Sequence, residues 1–159
     1  MPTGDILIYV GTFAAAIVIF FVVRWAATKF GGRNLALAQT AFASLPGFAA
    51  KHMLIYLDSA VAYDDARKRI AIWEKASGAR QVEPAEVGAW HSGVLLSVVL
   101  SRTTATPMLQ LYPAADAARP FFKVGVLDAR QCPVWATRLA TAFGAEKDRE
   151  TAVRVLGLE

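Results

Sequence analysis

The sequence predicts a single N-terminal transmembrane helix followed by a small α+β domain, mainly antiparallel β-sheet, with a C-terminal helix. Three features carry this prediction: eighteen consecutive uncharged residues at 6–23, a succession of short strand-like runs between 52 and 126, and a helical apolar pattern that begins at Pro133. Because the strand-like runs follow one another without helices between them, we expect antiparallel pairing of about seven strands, in a small barrel or in two packed sheets.

The apolar run ILIYVGTFAAAIVIFFVV, residues 6–23, is predicted to be a membrane anchor. At ~1.5 Å per residue, eighteen helical residues are about 27 Å long, and residues 24–27 complete the ~30 Å hydrocarbon core. A removable signal peptide needs a positively charged start, whereas the only charged side chain in residues 1–5 is Asp5. A core helix of a globular domain would show a polar stripe, which this run lacks. We therefore predict an external tail at 1–5 and a transmembrane helix at 6–27.

The charges beside this run predict its orientation. Arg24, Lys29 and Arg33 all follow it, and no Lys or Arg precedes it. Because Lys and Arg concentrate on the cytoplasmic side of a span, we expect a bacterial inner-membrane protein with its N-terminus outside and its C-terminal domain in the cytoplasm. Within the run, Gly11 and Ala15 form a small-xxx-small pair that favours helix pairing, with lipid-facing filler as the alternative.

Residues 28–50 are predicted to contain a short helix and a linker. Asn34 is a candidate N-cap, and Pro46 and Gly47 end the helical pattern. The apolar residues at helical spacing are Leu35, Ala38, Phe42 and Leu45. Two interpretations stay open, a helix lying on the membrane surface and a linker helix packed against the following domain.

A β-rich domain with a capping helix is predicted at 51–145. The expected strands are 52–58, 60–63, 69–74, one or two within 81–92, 94–101, 107–112 and 121–126. Gly93 is expected to interrupt the strands on either side of it. Pro133 suits the first turn of the capping helix, and Trp135 is its expected plug in the core. Residues 146–159 are predicted to be a charged helical tail.

The hairpin at 60–74, the strand EVGAWHS at 86–92 and the helix PVWATRLATAF with Trp135 give an element order that resembles membrane-tethered bacterial pleckstrin-homology-like domains. The resemblance covers residues 51–145 and implies seven strands in two sheets with a C-terminal helix. In eukaryotic relatives, basic residues between the first strands bind phosphoinositide headgroups.

That resemblance implies Arg67, Lys68 and Arg69 as anion or lipid contacts in this chain. Asp64 and Asp65 stand immediately before them. These carboxylates favour the alternative interpretation, a solvated hairpin turn with internal charge pairing.

No catalytic, cofactor or metal site is predicted. His52 and His91 are thirty-nine residues apart, and Cys132 is the only cysteine, so neither a zinc site nor a Cys–His nucleophile is indicated. Residues 51–159 contain fourteen basic and twelve acidic residues. Such a nearly neutral domain does not have the concentrated basic surface of a nucleic-acid-binding protein.

We therefore expect a non-enzymatic, single-pass membrane-anchored binding protein, without a cofactor. Its expected partners are the lipid bilayer and integral membrane proteins, as an accessory or assembly subunit of a larger membrane complex. The alternative is a stand-alone pleckstrin-homology-like module that senses anionic lipid or a small ligand.

Overall fold

The structure is a computed structural model that describes residues 32–99, 102–115 and 118–148. A helix, α1, covers residues 32–43, and seven strands and a second helix follow it. Their bounds are β1 His52–Tyr56, β2 Ser59–Asp64, β3 Arg69–Glu74, β4 Gly78–Val82, β5 Val87–Val99, β6 Arg102–Pro113, β7 Phe122–Gly125 and α2 Gln131–Phe143. A short 3-10 helix at Ala145–Lys147 comes after α2.

The strands form two antiparallel sheets. The first sheet has the order β1-β2-β3-β4 and the second has the order β5-β6-β7. The main core lies between the sheets and α2, and Trp135, Phe122, Ile70 and Leu109 are among its fully buried side chains. The indole Nε1 of Trp90 donates a 2.9 Å hydrogen bond to the carbonyl oxygen of Gly144, which joins β5 to the end of α2.

The outer face of the first sheet is covered by α1. Ala38 and Phe42 of this helix are fully buried against small strand residues, together with Trp73. The small residues are Ala60, Ala62 and Ala71. Because alanines let a helix approach a sheet closely, α1 packs onto the domain through Ala38 and Phe42.

The predicted fold class, a transmembrane helix attached to an α+β domain, needs correction. Among residues 32–99, 102–115 and 118–148, no helix is both long enough and apolar enough to cross a bilayer. The thirteen residues of α2 span about 20 Å, short of the ~30 Å hydrocarbon core. What the structure has is mainly antiparallel β-sheet, seven strands in two sheets, followed by a C-terminal helix.

Several predictions on the N-terminal segment fall outside the described residues. These are the external tail at 1–5, the transmembrane helix at 6–27, the pair Gly11 and Ala15, and the basic residues Arg24 and Lys29.

The predicted interruption at Gly93 is wrong, because β5 continues through this residue, which pairs in register with Met108. The irregularity lies instead at Gly88, between the paired positions of Val87 and Ala89. A Cβ on Gly88 would lie 2.7 Å from the Cα of Ala114. A glycine is therefore required where the backbone after β6 crosses β5.

The beginning of the predicted helical tail at 146–159 also differs. Helix α2 ends at Phe143, and Gly144 has a φ of 103°, a conformation that favours glycine. After the 3-10 helix, Asp148 is extended and forms a parallel bridge with Trp90. The chain is therefore not helical at position 148, and residues 149–159 lie outside the described part.

Candidate functional site

The two ends of the domain differ in chemistry. We call one the turn end, formed by the β2–β3 turn at 64–69, the β4–β5 loop at 83–86 and the last turn of α2. We call the other the ribbon end, formed by the β1–β2 turn at 56–59, the residues that follow β7 and the first turn of α2. At the ribbon end the β5–β6 hairpin continues past β7 as a two-stranded ribbon, in which 94–99 pairs with 102–107.

Asp64 organises the turn end. Its side chain is only 1% exposed and accepts hydrogen bonds from the backbone N–H groups of Ala49, Ala66 and Arg67 at 2.9–3.2 Å. The Arg67 guanidinium donates a further bond of 3.4 Å. Burial raises the pKa of Asp64, but the hydrogen bonds outweigh it and hold the pKa below its ordinary value. This carboxylate therefore stabilises the turn and is not available to a ligand.

The three residues predicted as anion contacts lie together at this end. Arg67, Lys68 and Arg69 line a groove of about 230 Å³. The remaining lining residues are Ile70, Val82, Glu83, Pro84, Ala142 and Phe143. Two of the basic side chains already contact other residues of this chain. Arg67 pairs with Asp64, and Arg69 donates a 3.4 Å hydrogen bond to the side-chain oxygen of Gln81. The groove thus has basic walls, with the acidic Glu83 among them.

The basic turn that lines this groove lies within a β-hairpin. The turn joins β2 to β3, the two strands of the hairpin predicted at 60–74. Arg33 is exposed at the start of α1, which lies at the ribbon end, so the structure does not bring it together with Arg67 to Arg69.

A His–Asp pair at the turn end was not expected from the sequence. The Nε2 of His52 lies 2.9 Å from Oδ2 of Asp65, and the Lys51 ammonium lies 3.3 Å from the same oxygen. The His52 hydrogen bond holds the pKa of Asp65 below its ordinary value against the effect of burial, with help from Lys51. The register that pairs His52 with Tyr63 creates this contact, so only correct hairpin pairing would have revealed it.

His91 and Cys132 do not form a catalytic pair. Along β5, Trp90 and Ser92 face α2, and the Ser92 hydroxyl donates a 2.9 Å hydrogen bond to the carbonyl oxygen of Cys132. Alternate strand residues face opposite ways, so His91 lies on the other side of the sheet from Cys132. Burial raises the pKa of the Cys132 thiol, which lowers its nucleophilicity at neutral pH.

His91 sits in a buried polar cluster on the outer face of the second sheet. It pairs in register with Gln110, whose side-chain oxygen accepts a 2.7 Å hydrogen bond from the Tyr112 hydroxyl. The Nε2 of His91 is buried and has no hydrogen-bond partner. Within the described parts of the chain, no three His, Cys, Asp or Glu side chains come close enough together to hold a metal ion.

The ribbon end exposes large apolar side chains. Leu57 is 72% exposed in the β1–β2 turn, and Leu127 is 80% exposed just after β7. The other exposed apolar residues of this end are Tyr56, Val94 and Val134.

A continuous set of contacts places these residues together. The Tyr56 ring covers Gly125, which pairs with Met108 of β6. The backbone N–H of Val126 donates a 2.8 Å hydrogen bond to the carbonyl oxygen of Pro107. Pro107 pairs in register with Val94 at the base of the ribbon.

The N-terminal side of the described chain meets the same end. The Asn34 side-chain amide donates hydrogen bonds of 3.0 Å to the carbonyl oxygen of Leu57 and 2.9 Å to Oδ1 of Asp58. The first turn of α1 is therefore fixed beside the exposed Leu57. The described chain thus begins at the ribbon end.

Comparison of the chain with protein-family models, with curated proteins and with solved structures finds no match.

Proposed function

We propose that this protein acts by binding, as a non-catalytic accessory or assembly subunit of a larger membrane protein complex. The observation that carries this proposal is the apolar ribbon end, where Leu57, Leu127 and their neighbours are exposed. Exposed apolar clusters on a folded domain mark surfaces that become covered in the working assembly.

The energetics favour a covered state of this surface. Full burial of a leucine side chain is worth about 1.5–3 kcal/mol, so covering Leu57 and Leu127 supplies a substantial part of a binding free energy. A two-stranded ribbon is only marginally stable in water by itself. A partner that covers the ribbon therefore stabilises it as well.

The location of this protein and its likeness to pleckstrin-homology-like domains remain predictions. The inner-membrane location, with this domain in the cytoplasm, depends on residues 1–33, most of which lie outside the described part. For the likeness to pleckstrin-homology-like domains, the supporting observation is the order of a four-stranded sheet, a three-stranded sheet and a terminal helix.

The proposal is tested by crosslinking the full-length protein in its own membranes, extracting it in mild detergent and measuring its native mass and companions. We expect a large species with stoichiometric companion proteins. The double variant Leu57→Asn and Leu127→Ser should reduce the crosslinked yield severalfold. Asn is chosen at position 57 because the residue there has a φ of 53°, which Asn tolerates.

Ala43→Ser is the control, since Ala43 is exposed in the last turn of α1, at the opposite end of this helix from Asn34. This variant should retain the companions. A monomer or dimer without companions in the unsubstituted protein would contradict the proposal.

A second candidate function is anion sensing at the turn end. It is favoured by the groove of about 230 Å³ that Arg67, Lys68 and Arg69 line. If this function holds, replacing the three residues by Gln weakens salt-sensitive binding of the full-length protein to vesicles that contain anionic lipid. Unchanged binding by the triple variant would exclude the groove as the lipid contact.

A further inference from the structure

We propose that the groove at the turn end binds an acidic segment of a partner protein, with carboxylates of that segment paired to Arg67, Lys68 and Arg69. This inference rests on the proposed function in one respect, that the protein works by binding other proteins. It adds a second contact surface and the chemistry of the segment that this surface fits. Anionic lipid, the ligand of the second candidate function, is an outcome of the test.

The first reason is the conformation of Lys68 in the β2–β3 turn. Its φ is 54°, in the left-handed region that favours glycine, so a lysine at this position is strained. Its ammonium group has no hydrogen-bond or ion-pair partner among the residues that the structure describes. Strained residues cluster at binding sites, where the surrounding structure holds them in place. A strained and unpaired cation in the wall of a groove therefore indicates a side chain that serves a ligand.

The second reason is that the two arginines of the groove are held only weakly by the chain itself. The Arg67–Asp64 and Arg69–Gln81 contacts are both 3.4 Å long, longer than the usual range of about 2.7–3.2 Å. Asp64 keeps its three backbone N–H donors at 2.9–3.2 Å without Arg67. The carboxylates of a ligand can therefore bind both guanidinium groups while the turn keeps its shape. Arginine–carboxylate pairs are among the stronger hydrogen bonds in proteins.

The third reason is that the opposite wall of the groove, the β4–β5 loop, is also fixed. The Lys147 ammonium donates a 3.0 Å hydrogen bond to the carbonyl oxygen of Pro84. The side chain of Glu86 accepts a 3.2 Å hydrogen bond from the backbone N–H of Glu83. A groove with two fixed walls loses little conformational freedom when a ligand enters, which favours binding.

The size and the apolar part of the groove favour a protein segment over a free anion. Ile70, Val82 and Phe143 line the groove from the main core, and Pro84 and Ala142 lie beside them. The volume of about 230 Å³ is below the roughly 300–1,000 Å³ of pockets that hold drug-sized ligands. A groove of this size fits one apolar side chain between the flanking carboxylates of a peptide. Inorganic phosphate leaves the apolar lining uncovered.

Glu83 disfavours an anionic lipid surface. This residue is exposed and lines the groove, and its carboxylate has no ion-pair partner within the described parts of the chain. A surface of lipid phosphates meets Glu83 together with the cations, and like charges repel. An extended peptide places its carboxylates at Arg67 to Arg69 and an uncharged residue beside Glu83. The groove is therefore selective for the spacing of charges along its partner.

The test measures the binding of a short dye-labelled peptide, in which glutamates flank one leucine and one phenylalanine, to the full-length protein in uncharged detergent. Fluorescence anisotropy reports the bound fraction. One comparison peptide has glutamine in place of every glutamate, and a second has serine in place of the two apolar residues. The competing ligands are inorganic phosphate and mixed micelles that contain phosphatidylglycerol, each at constant ionic strength.

Three variants make the test specific to the groove. Lys68→Gly removes the ammonium group without a risk to folding, because glycine adopts a φ of 54° freely. We expect this variant to bind the peptide severalfold more weakly. Glu83→Gln removes the repulsive carboxylate and should bind severalfold more tightly. Arg130→Gln is the matched control, since Arg130 is exposed at the start of α2 at the ribbon end, and its binding should be unchanged.

We expect both comparison peptides to bind severalfold more weakly than the acidic peptide. Absence of peptide binding, or equal binding by Lys68→Gly and the unsubstituted protein, would overturn the inference. Equal binding of the serine peptide would also overturn it, because the apolar lining would then play no part. Tighter binding of phosphate or of phosphatidylglycerol micelles than of the peptide would overturn it in favour of a phosphate ligand.

The outcome is separate from the crosslinking of companion proteins, which tests Leu57 and Leu127. Companions that are crosslinked as expected, without peptide binding at the groove, would leave the proposed function in place and overturn this inference. Peptide binding that depends on Lys68, without companions in the membrane, would support this inference and contradict the larger complex.

Discussion

The side-chain amide of Asn34 lies 3.0 Å from the carbonyl oxygen of Leu57 and holds the first helix against the turn between β1 and β2. The sequence predicts Asn34 as the cap of its own helix, but the residue lies within α1 and bonds across 23 positions of sequence. This one contact sets where the N-terminal segment meets the domain. It also keeps the exposed Leu57 beside the point of entry.

Replacing Asn34 by Ala should detach the first turn of α1. Because two hydrogen bonds, to Leu57 and Asp58, are lost at an exposed site, we expect a loss of about 1–2 kcal/mol in the free energy of unfolding. Amide hydrogen exchange in α1 should rise severalfold in the full-length protein. Gln39→Ala, an exposed position of the same helix, is the control, and equal exchange in the two variants would argue against this role of Asn34.

Asp64 should govern acid stability. Its folded-state pKa lies below the ordinary value of 3.8, so its contribution is fully present above that pH and is lost as the pH falls through the folded-state pKa. Asp64→Ala should cost about 2–4 kcal/mol at pH 7, because buried N–H donors lose their acceptor. The cost should shrink towards pH 3, as measured by urea unfolding across this range.

Two controls separate the carboxylate of Asp64 from its ion pair. Arg67→Gln should cost under about 1 kcal/mol, because the Arg67 side chain is half exposed and the backbone bonds to Asp64 remain. Glu83→Gln, at an exposed position of the β4–β5 loop, should show no comparable pH dependence. A large loss from Arg67→Gln would show that the ion pair, and not the backbone contacts, carries the stability.

Gly125 makes room for the Tyr56 ring. A Cβ at this position would lie 2.7 Å from Cδ1 of Tyr56, so Gly125→Ala should displace the ring and destabilise the domain by about 1–2 kcal/mol. In a Tyr56→Ala background the same substitution should be neutral or stabilising, because alanine restricts the unfolded chain. A double-mutant cycle of unfolding free energies measures the coupling, and additive effects would rule out the contact.

Cys132 should be slow to alkylate in the folded protein. The side chain is buried in the core, and burial raises the pKa of its thiol, so little thiolate is present or accessible at pH 7.5. We expect reaction with a maleimide to accelerate by orders of magnitude in urea. A Glu83→Cys variant supplies an exposed reference thiol, and equal rates at the two positions in the folded protein would show that Cys132 is accessible.

The spacing of apolar residues predicted strands and helices where that spacing matches the faces that are buried in the folded domain. The runs predicted at 60–63 and 69–74 lie within β2 and β3, and the helical pattern from Pro133 lies within α2. This spacing did not predict which faces of a strand are buried. In β3, Ala71 and Trp73 are as buried as Ile70 and Ile72. Both faces of β3 are covered, one by the core and the other by α1, and a strand pattern does not show what packs on its second face.

Other errors arose from pairing across the chain. Gly93 resembles a strand breaker, but pairing with Met108 supplies the hydrogen bonds that carry β5 through it. The register that pairs His52 with Tyr63 brings His52 to Asp65, a contact that the sequence did not predict. Neither result depends on residues close in sequence, so neither is visible in a local pattern.

The sequence by itself determined the composition of this protein's parts: an uncharged run at 6–23, a strand-rich domain of nearly neutral charge and a terminal helix with a buried tryptophan. These properties depend on residue type and short-range spacing, from which hydrophobicity and backbone sterics predict strands and helices. Only the tertiary structure decided that His52 meets Asp65, that Asp64 is buried, and that Leu57, Leu127 and the ribbon share the end where α1 begins. Register and packing join residues that are distant in sequence, and these long-range contacts give the domain an apolar end and a charged one.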